Sequence, residues 1–220
     1  MKKIIKNILI FISYFVYEYL FIAILEAFGI NYSNLKYNNK VLLVFTFYVI
    51  YLLFIIFMYR KELIEDIHDF KKNYKKYLNK YVALYFLGVL LMAVSNLILQ
   101  KITNLEISGN EENVRALISK VPLFMAFSSV IYAPFIEEMI FRKSIKNIIN
   151  NKYVFIILSG IIFGALHISN FRDFNQILMG IPYIIMGIDF AYIYYKTNNI
   201  FTTMTFHLCH NLILFTLQLI

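Results

Sequence analysis

Cysteine occurs once, at Cys209, tryptophan not at all, and charged residues make up only 15% of the 220 positions. A lone cysteine excludes an intrachain disulfide. Without Trp, any aromatic belt at a membrane–water boundary falls to the eighteen Tyr. The shortage of charge excludes an ordinary soluble domain, which carries about 25% charged and 45–50% apolar residues. An HExxH helix is missing, which removes the usual zinc metalloprotease signature. No internal repeat or low-complexity tract interrupts the chain.

What is present is apolar surface: 60% of the residues are hydrophobic and the mean hydropathy is +0.67. A bilayer core about 30 Å thick takes roughly 20 apolar residues as a helix. Seven such segments are predicted, at 8–29, 41–59, 82–100, 121–141, 152–171, 174–195 and 199–220. Each must be helical, because strands or loops in lipid leave backbone groups unpaired. The expected fold is an all-α polytopic transmembrane bundle of about seven spans. Lys2, Lys3 and Lys6 precede the first run in the manner of a signal peptide. That run is too long, and no small-residue cleavage site follows, so it is predicted to be a retained span. Pro134 and Pro182 fall inside spans, where neighbouring helices can satisfy the freed carbonyls.

The net charge of +8 raises nucleic acid as a partner, but the basic residues sit in short clusters between apolar runs. That is the distribution of a membrane protein, and nucleic acid is excluded. With the N-terminus inside, the inner side holds fifteen of the 21 Lys and Arg. Lys36, Lys40, Lys101, Arg115, Lys120 and Arg172 fall outside. The bias predicts a cytoplasmic N-terminus in a cell membrane, and the Lys-, Asn- and Ile-rich composition suggests a bacterial plasma membrane. Segment 60–81 is the most basic, with apolar residues at helical spacing. It reads as a surface-lying amphipathic helix on anionic headgroups, or as a solvated linker helix.

Ionisable residues within spans are costly and face polar interiors, so function is sought there. The candidates are Glu18, Glu26, Glu137, Glu138, Asp189, His167, His207 and His210. On a helix, Glu138 and Arg142 stand at i,i+4 with the acid first, the favoured order for an ion pair. Glu137 is turned about 100° away at 3.6 residues per turn. One carboxylate is thus neutralised as scaffold, and the other is left for general base work. An ion cluster at a helix end is the alternative reading. Gly160 and Gly164 form a small-xxx-small face for close helix packing, with His167 just beyond it. His207 and Asn211 share a face at i,i+4, with His210 nearby. They could hold a water, an oxyanion or a metal, or act as an interhelical polar clamp. Glu18 and Glu26 read as paired in the bundle or near an interface. Asp189 is a candidate partner for a histidine or Arg142, and Cys209 reads as packing.

EExxxR (Glu137, Glu138, Arg142), FxxxH (Phe163, His167) and HxxxN (His207, Asn211), in that order on late spans, resemble the CPBP intramembrane protease family. This family, also called Abi or CAAX amino-terminal proteases, includes type II CAAX prenyl endopeptidases and bacterial proteins linked to bacteriocin processing or self-immunity. The stretch Thr197-Asn198-Asn199-Ile200 is similar to the family's usual entry into the last helix. The resemblance covers about 120–220 and implies a protease core there with four catalytic-core helices. Residues 1–119 supply the N-terminal spans and the basic segment. It implies Glu137 as activator of water, His167 as its partner, and His207 with Asn211 as the oxyanion-stabilising pair. Glu138 and Arg142 would be structural. The family has been described both as metal-dependent and as glutamate-type. If zinc or another divalent ion binds, Glu137, His167 and His207 are its implied ligands. His210 falls outside the pattern.

Straight helices with these limits put Glu137 and His207 roughly 9 Å to the inner side of the midplane, and His167 about as far outside it. A shared water therefore requires different limits for the fifth helix, or its displacement inward. The expected substrate is a membrane-associated peptide or protein arriving laterally or from the cytoplasmic face. A non-catalytic immunity or scaffold protein is the alternative. A proton-coupled transporter would predict inverted repeats, and none is found.

Overall fold

The computed structural model describes residues 2–219, except for the side chain of Glu18, so that candidate acid lies outside the described residues. Among the described residues every regular element is helical. Helix α1 is Lys2–Ala27, α2 Tyr37–Thr103, α3 Gly109–Lys120 and α4 Pro122–Ile148. Helix α5 is Lys152–Ala165, α6 Phe174–Leu178, α7 Ile181–Thr197 and α8 Ile200–Leu219. Caps explain several boundaries. The Ser108 hydroxyl accepts from the Glu111 N–H at 3.2 Å, and the Asn151 side chain accepts from Tyr153 and Val154. Asn104 and Asn198 end α2 and α7 in the left-handed conformation, which Asn tolerates better than most residues.

Four helices are long and apolar enough to cross a membrane, or five if the bent α1 is counted as one span. The seven predicted runs do not map one to one onto these helices. Two of the predicted runs, 41–59 and 82–100, belong to the single 67-residue helix α2. The predicted fifth span is the 14-residue α5, about 21 Å long at 1.5 Å per residue and shorter than the bilayer core.

A straight α2 would be about 100 Å long, yet Tyr48 and Gln100 line the same cavity. Its axis must therefore turn back between them. The basic stretch 60–81 lies in that turn and is fastened across one end of the bundle. Tyr59 donates to Asn7 at 2.5 Å and contacts Ser144 at 2.6 Å. Asp66 pairs with Lys143. Asn199 donates to the Asp66 carbonyl at 2.7 Å and to the Asp69 carboxylate at 2.8 Å. This basic end also carries the N-terminus, through a Lys6–Glu62 pair at 3.4 Å.

Helices α5 and α7 approach backbone to backbone. A Cβ on Gly160 would lie 2.9 Å from the Ile188 nitrogen, and one on Gly164 would lie 2.8 Å from the Ile184 nitrogen. The small-residue face of the sequence does what its spacing predicts. Helix α4 alternates α-helical turns with two π-helical stretches, Ala126–Tyr132 and Glu138–Ser144. Pro134 follows the first, where the widened turn accommodates a residue that donates no hydrogen bond. Pro182 stands in the first turn of α7, where its missing N–H is no loss.

Candidate active site

The π-helical turn begins at Glu138, next to Glu137. Such widened turns occur mostly at functional sites. Arg142 is fully buried, and a charge buried in a bundle needs partners. Its Nε stands 3.5 Å from Glu138 Oε2, its Nη1 donates to Ser159 at 3.2 Å, and its guanidinium lies 4.7 Å over the Phe163 ring. Ser159 in turn donates to the Phe141 carbonyl at 2.6 Å. The expected Glu138–Arg142 pairing is present, and it is anchored to α5.

Glu137 is not left without a partner. Its Oε2 lies 3.6 Å from His207 Nε2, while His207 Nδ1 lies 3.1 Å from Glu138 Oε1. One imidazole thus sits between both carboxylates. Arg142 pairs with Glu138 and not with Glu137, as the helical spacing predicts.

His167 stands two residues beyond the end of α5, and its Nδ1 lies 2.9 Å from the Phe163 carbonyl. A carbonyl only accepts, so Nδ1 carries the proton and Nε2 is the acceptor nitrogen. Tyr183 stacks on the ring at 4.2 Å. Phe163 bridges the histidines, with its ring 4.8 Å from His167 and 5.7 Å from His207. The shortness of α5 removes the depth mismatch: the helix starts at the basic end and stops part-way through the bundle, at the level of the acids. Asn211 donates one N–H to the Ser129 carbonyl at 2.8 Å and keeps a second.

Glu137, His167, His207 and Asn211 line one cavity of about 580 Å³. His210 lines it too, 3.4 Å from the Tyr85 hydroxyl. Asp189 is buried with its carboxylate against Gly88 of α2 and within electrostatic reach of Arg142, one of the partners read for it. Glu26 is exposed near the end of α1, which favours the interfacial of the two placements read for it over one inside the bundle. Cys209 is exposed, so the packing role read for it is corrected as well. Sequence reasoning missed Ser159, Ser129 and Tyr183, which hold Arg142, Asn211 and His167. Serines and tyrosines carry no spacing signal that sets these three apart.

Among the described residues, no three His, Cys, Asp or Glu side chains form a group able to hold a metal ion. His207 turns both nitrogens onto carboxylates, and His167 uses Nδ1 on the backbone. If a divalent ion binds, Glu137 and the Nε2 atoms of His167 and His207 are the atoms that would hold it, since a ring held at Nδ1 by a carbonyl or carboxylate is the usual support of a metal-binding histidine.

Fold and site together define a multi-pass helical membrane protein with a carboxylate–histidine–amide cavity. Residues 119–213 match the family model described as type II CAAX prenyl endopeptidase Rce1-like. It is 33% identical over 115 residues to a Bacillus subtilis (strain 168) protein named "Putative membrane peptidase YdiL", a match covering 51% of this chain and 44% of that one. It is 30% identical over 151 residues to the "Membrane-embedded CAAX protease MroQ" of Staphylococcus aureus (strain USA300), covering 64% of this chain and 58% of that one. The chain thus spans about half the length of these curated relatives. No solved structure gives a significant match.

Proposed function

We propose that this protein is an intramembrane endopeptidase that hydrolyses a membrane-associated peptide or protein in a bacterial plasma membrane. The reading is carried by one observation: Glu137 of α4, His167 just past α5, and His207 and Asn211 of α8 line a single cavity. Its family domain and peptidase-named relatives support the same reaction class.

In this mechanism a water held by the Nε2 of His167 loses a proton to Glu137 as its oxygen attacks the peptide carbonyl. The developing oxyanion accepts hydrogen bonds from the second N–H of Asn211 and from an N–H at Nε2 of His207, with no proton transferred. Glu138 holds the Nδ1–H of His207 and so orients that ring. The tetrahedral intermediate collapses when the C–N bond breaks. The proton on Glu137 passes to the leaving nitrogen, giving a new carboxyl and a new amine. Glu138 and Arg142 neutralise one another and touch no substrate. The steps use side chains of this chain alone.

The test is cleavage of candidate membrane peptides in proteoliposomes containing ¹⁸O-labelled water. The wild-type protein should place one ¹⁸O in the new carboxyl, and Glu137→Gln should remain folded and cut about 10²–10⁴-fold more slowly. Wild-type rates in Glu137→Gln would refute the base. A chelator should leave the rate unchanged. Loss of activity restored by added zinc would overturn the metal-free mechanism.

A further inference from the structure

The two histidines of the site are held in different ways. His207 lies within α8 and has a carboxylate at each ring nitrogen. His167 lies past the end of α5, and its ring bonds the Phe163 carbonyl one turn back in its own chain. A ring tied at one nitrogen can still swing about its two side-chain torsions, the second of which is soft. A reacting water needs Nε2 in one direction, so other contacts must fix it.

Two such contacts come from other elements. Tyr183, in the first turn of α7, lies face to face with the His167 ring at 4.2 Å and 14°. Its hydroxyl stands 3.4 Å from the hydroxyl of Ser108, the cap of α3. Two residues after His167, the Ser169 hydroxyl donates to Gln176 Oε1 at 3.0 Å. The same oxygen accepts the Gly109 N–H at 2.9 Å. Gly109 comes so close that a Cβ there would collide with the Ser169 hydroxyl. The glycine seam brings these pieces together. Continued by one turn from Gly160–Ile188 and Gly164–Ile184, it sets Gly180 against Ile168, which carries the start of α7 to the turn that bears His167.

We propose that Gln176 and Tyr183 are positioning residues that brace His167 against the start of α3 and so aim its Nε2 at the centre shared with Glu137. The proposal rests on the hydrolytic reading above for what His167 does, and on geometry for how the ring is held. Ser108 and Gly109 precede the residues that match the family model, so the brace ties that part of the chain to a segment outside it. Tyr183 and Ser108 line the cavity, whereas Gly109, Ser169 and Gln176 do not. A change at Gln176 therefore reaches the reaction through His167 and not through contact with substrate in the cavity.

The experiment uses the full chain labelled with ¹⁵N-histidine, at a pH above the ordinary histidine range, with His167→Ala to assign the signal. In the wild-type protein His167 should show a single tautomer, protonated at Nδ1. Gln176→Leu removes the acceptor of both bonds, so the Nε2–H tautomer should appear as a second population. In proteoliposomes kcat should fall about tenfold while KM stays within about twofold. Gln176→Glu keeps an oxygen for both donors and should restore the single tautomer and the rate. Tyr183→Leu should mix the tautomers and lower kcat about 10–100-fold, and Tyr183→Phe, which keeps the stacked ring, should lose less than about tenfold. Should Gln176→Leu fail to fold, Gly109→Ala crowds Ser169 while favouring helix α3, and should give the same mixing. A wild-type His167 already divided between tautomers would overturn the brace. So would a single Nδ1–H signal in Gln176→Leu or Gly109→Ala, whatever the rate does. Equal cleavage by wild type and His167→Ala would instead remove the hydrolytic role of His167, and the tautomer change would still establish the brace.

Discussion

The two halves of the molecule bury different things. Along α1 and α2 the buried side chains are almost all apolar or aromatic, such as Ile10, Tyr51, Ile55 and Tyr85. From Pro122 onward the interior takes in Glu138, Arg142, Asp189 and His207, with Ser159, Thr202 and Thr203 around them. Buried charge is expensive in a bilayer and persists where it is paired or used. The first half thus reads as scaffold and cavity wall, and the second as the part that holds reactive groups. The family domain falls on that second half.

Substitutions sharpen or break this contrast. The largest effect on folding is expected at Arg142→Ala, which leaves Glu138 charged and unpaired in the interior. It should lower stability by about 3–5 kcal/mol, measured by unfolding in detergent. A loss under about 1 kcal/mol would mean the pair is not the buried anchor described here. Next comes Asn211→Ala, expected to reduce kcat about 10²–10³-fold with little change in stability. If KM rises while kcat holds, Asn211 binds substrate and does not stabilise the oxyanion. Gly164→Ala pushes α5 away from α7 and should destabilise by about 1–3 kcal/mol. An effect of similar size belongs to the fastened end. Asn199→Ala removes bonds to the Asp66 carbonyl and the Asp69 carboxylate and should lower stability by about 1–3 kcal/mol, chiefly through the charge-assisted bond. A larger loss there than at Arg142 would reverse the ranking of the two regions.

Much of the site was legible because its residues are rare in a membrane interior. Glu137, Glu138, His167, His207 and Asn211 stand out against Leu, Ile and Phe, and the Gly160–Gly164 spacing announced its close contact. Depth was misread because the apolar character of 152–171 runs past Ala165, where the helix itself stops. Hydropathy measures solvent preference, not where the backbone leaves the helix. Segment 60–81 was recognised as helical and basic. Its fastening to Asn199 was not, because Thr197–Ile200 spells only a helix boundary and the partner is 133 residues away.

A double-substitution cycle on kcat tests most directly whether the acid and the histidine serve one water. Glu137→Gln and His167→Ala should each lower kcat in proteoliposomes, and the double variant should be about as slow as the slower single one. If the two losses multiply instead, the side chains act independently and no common hydrated centre joins them.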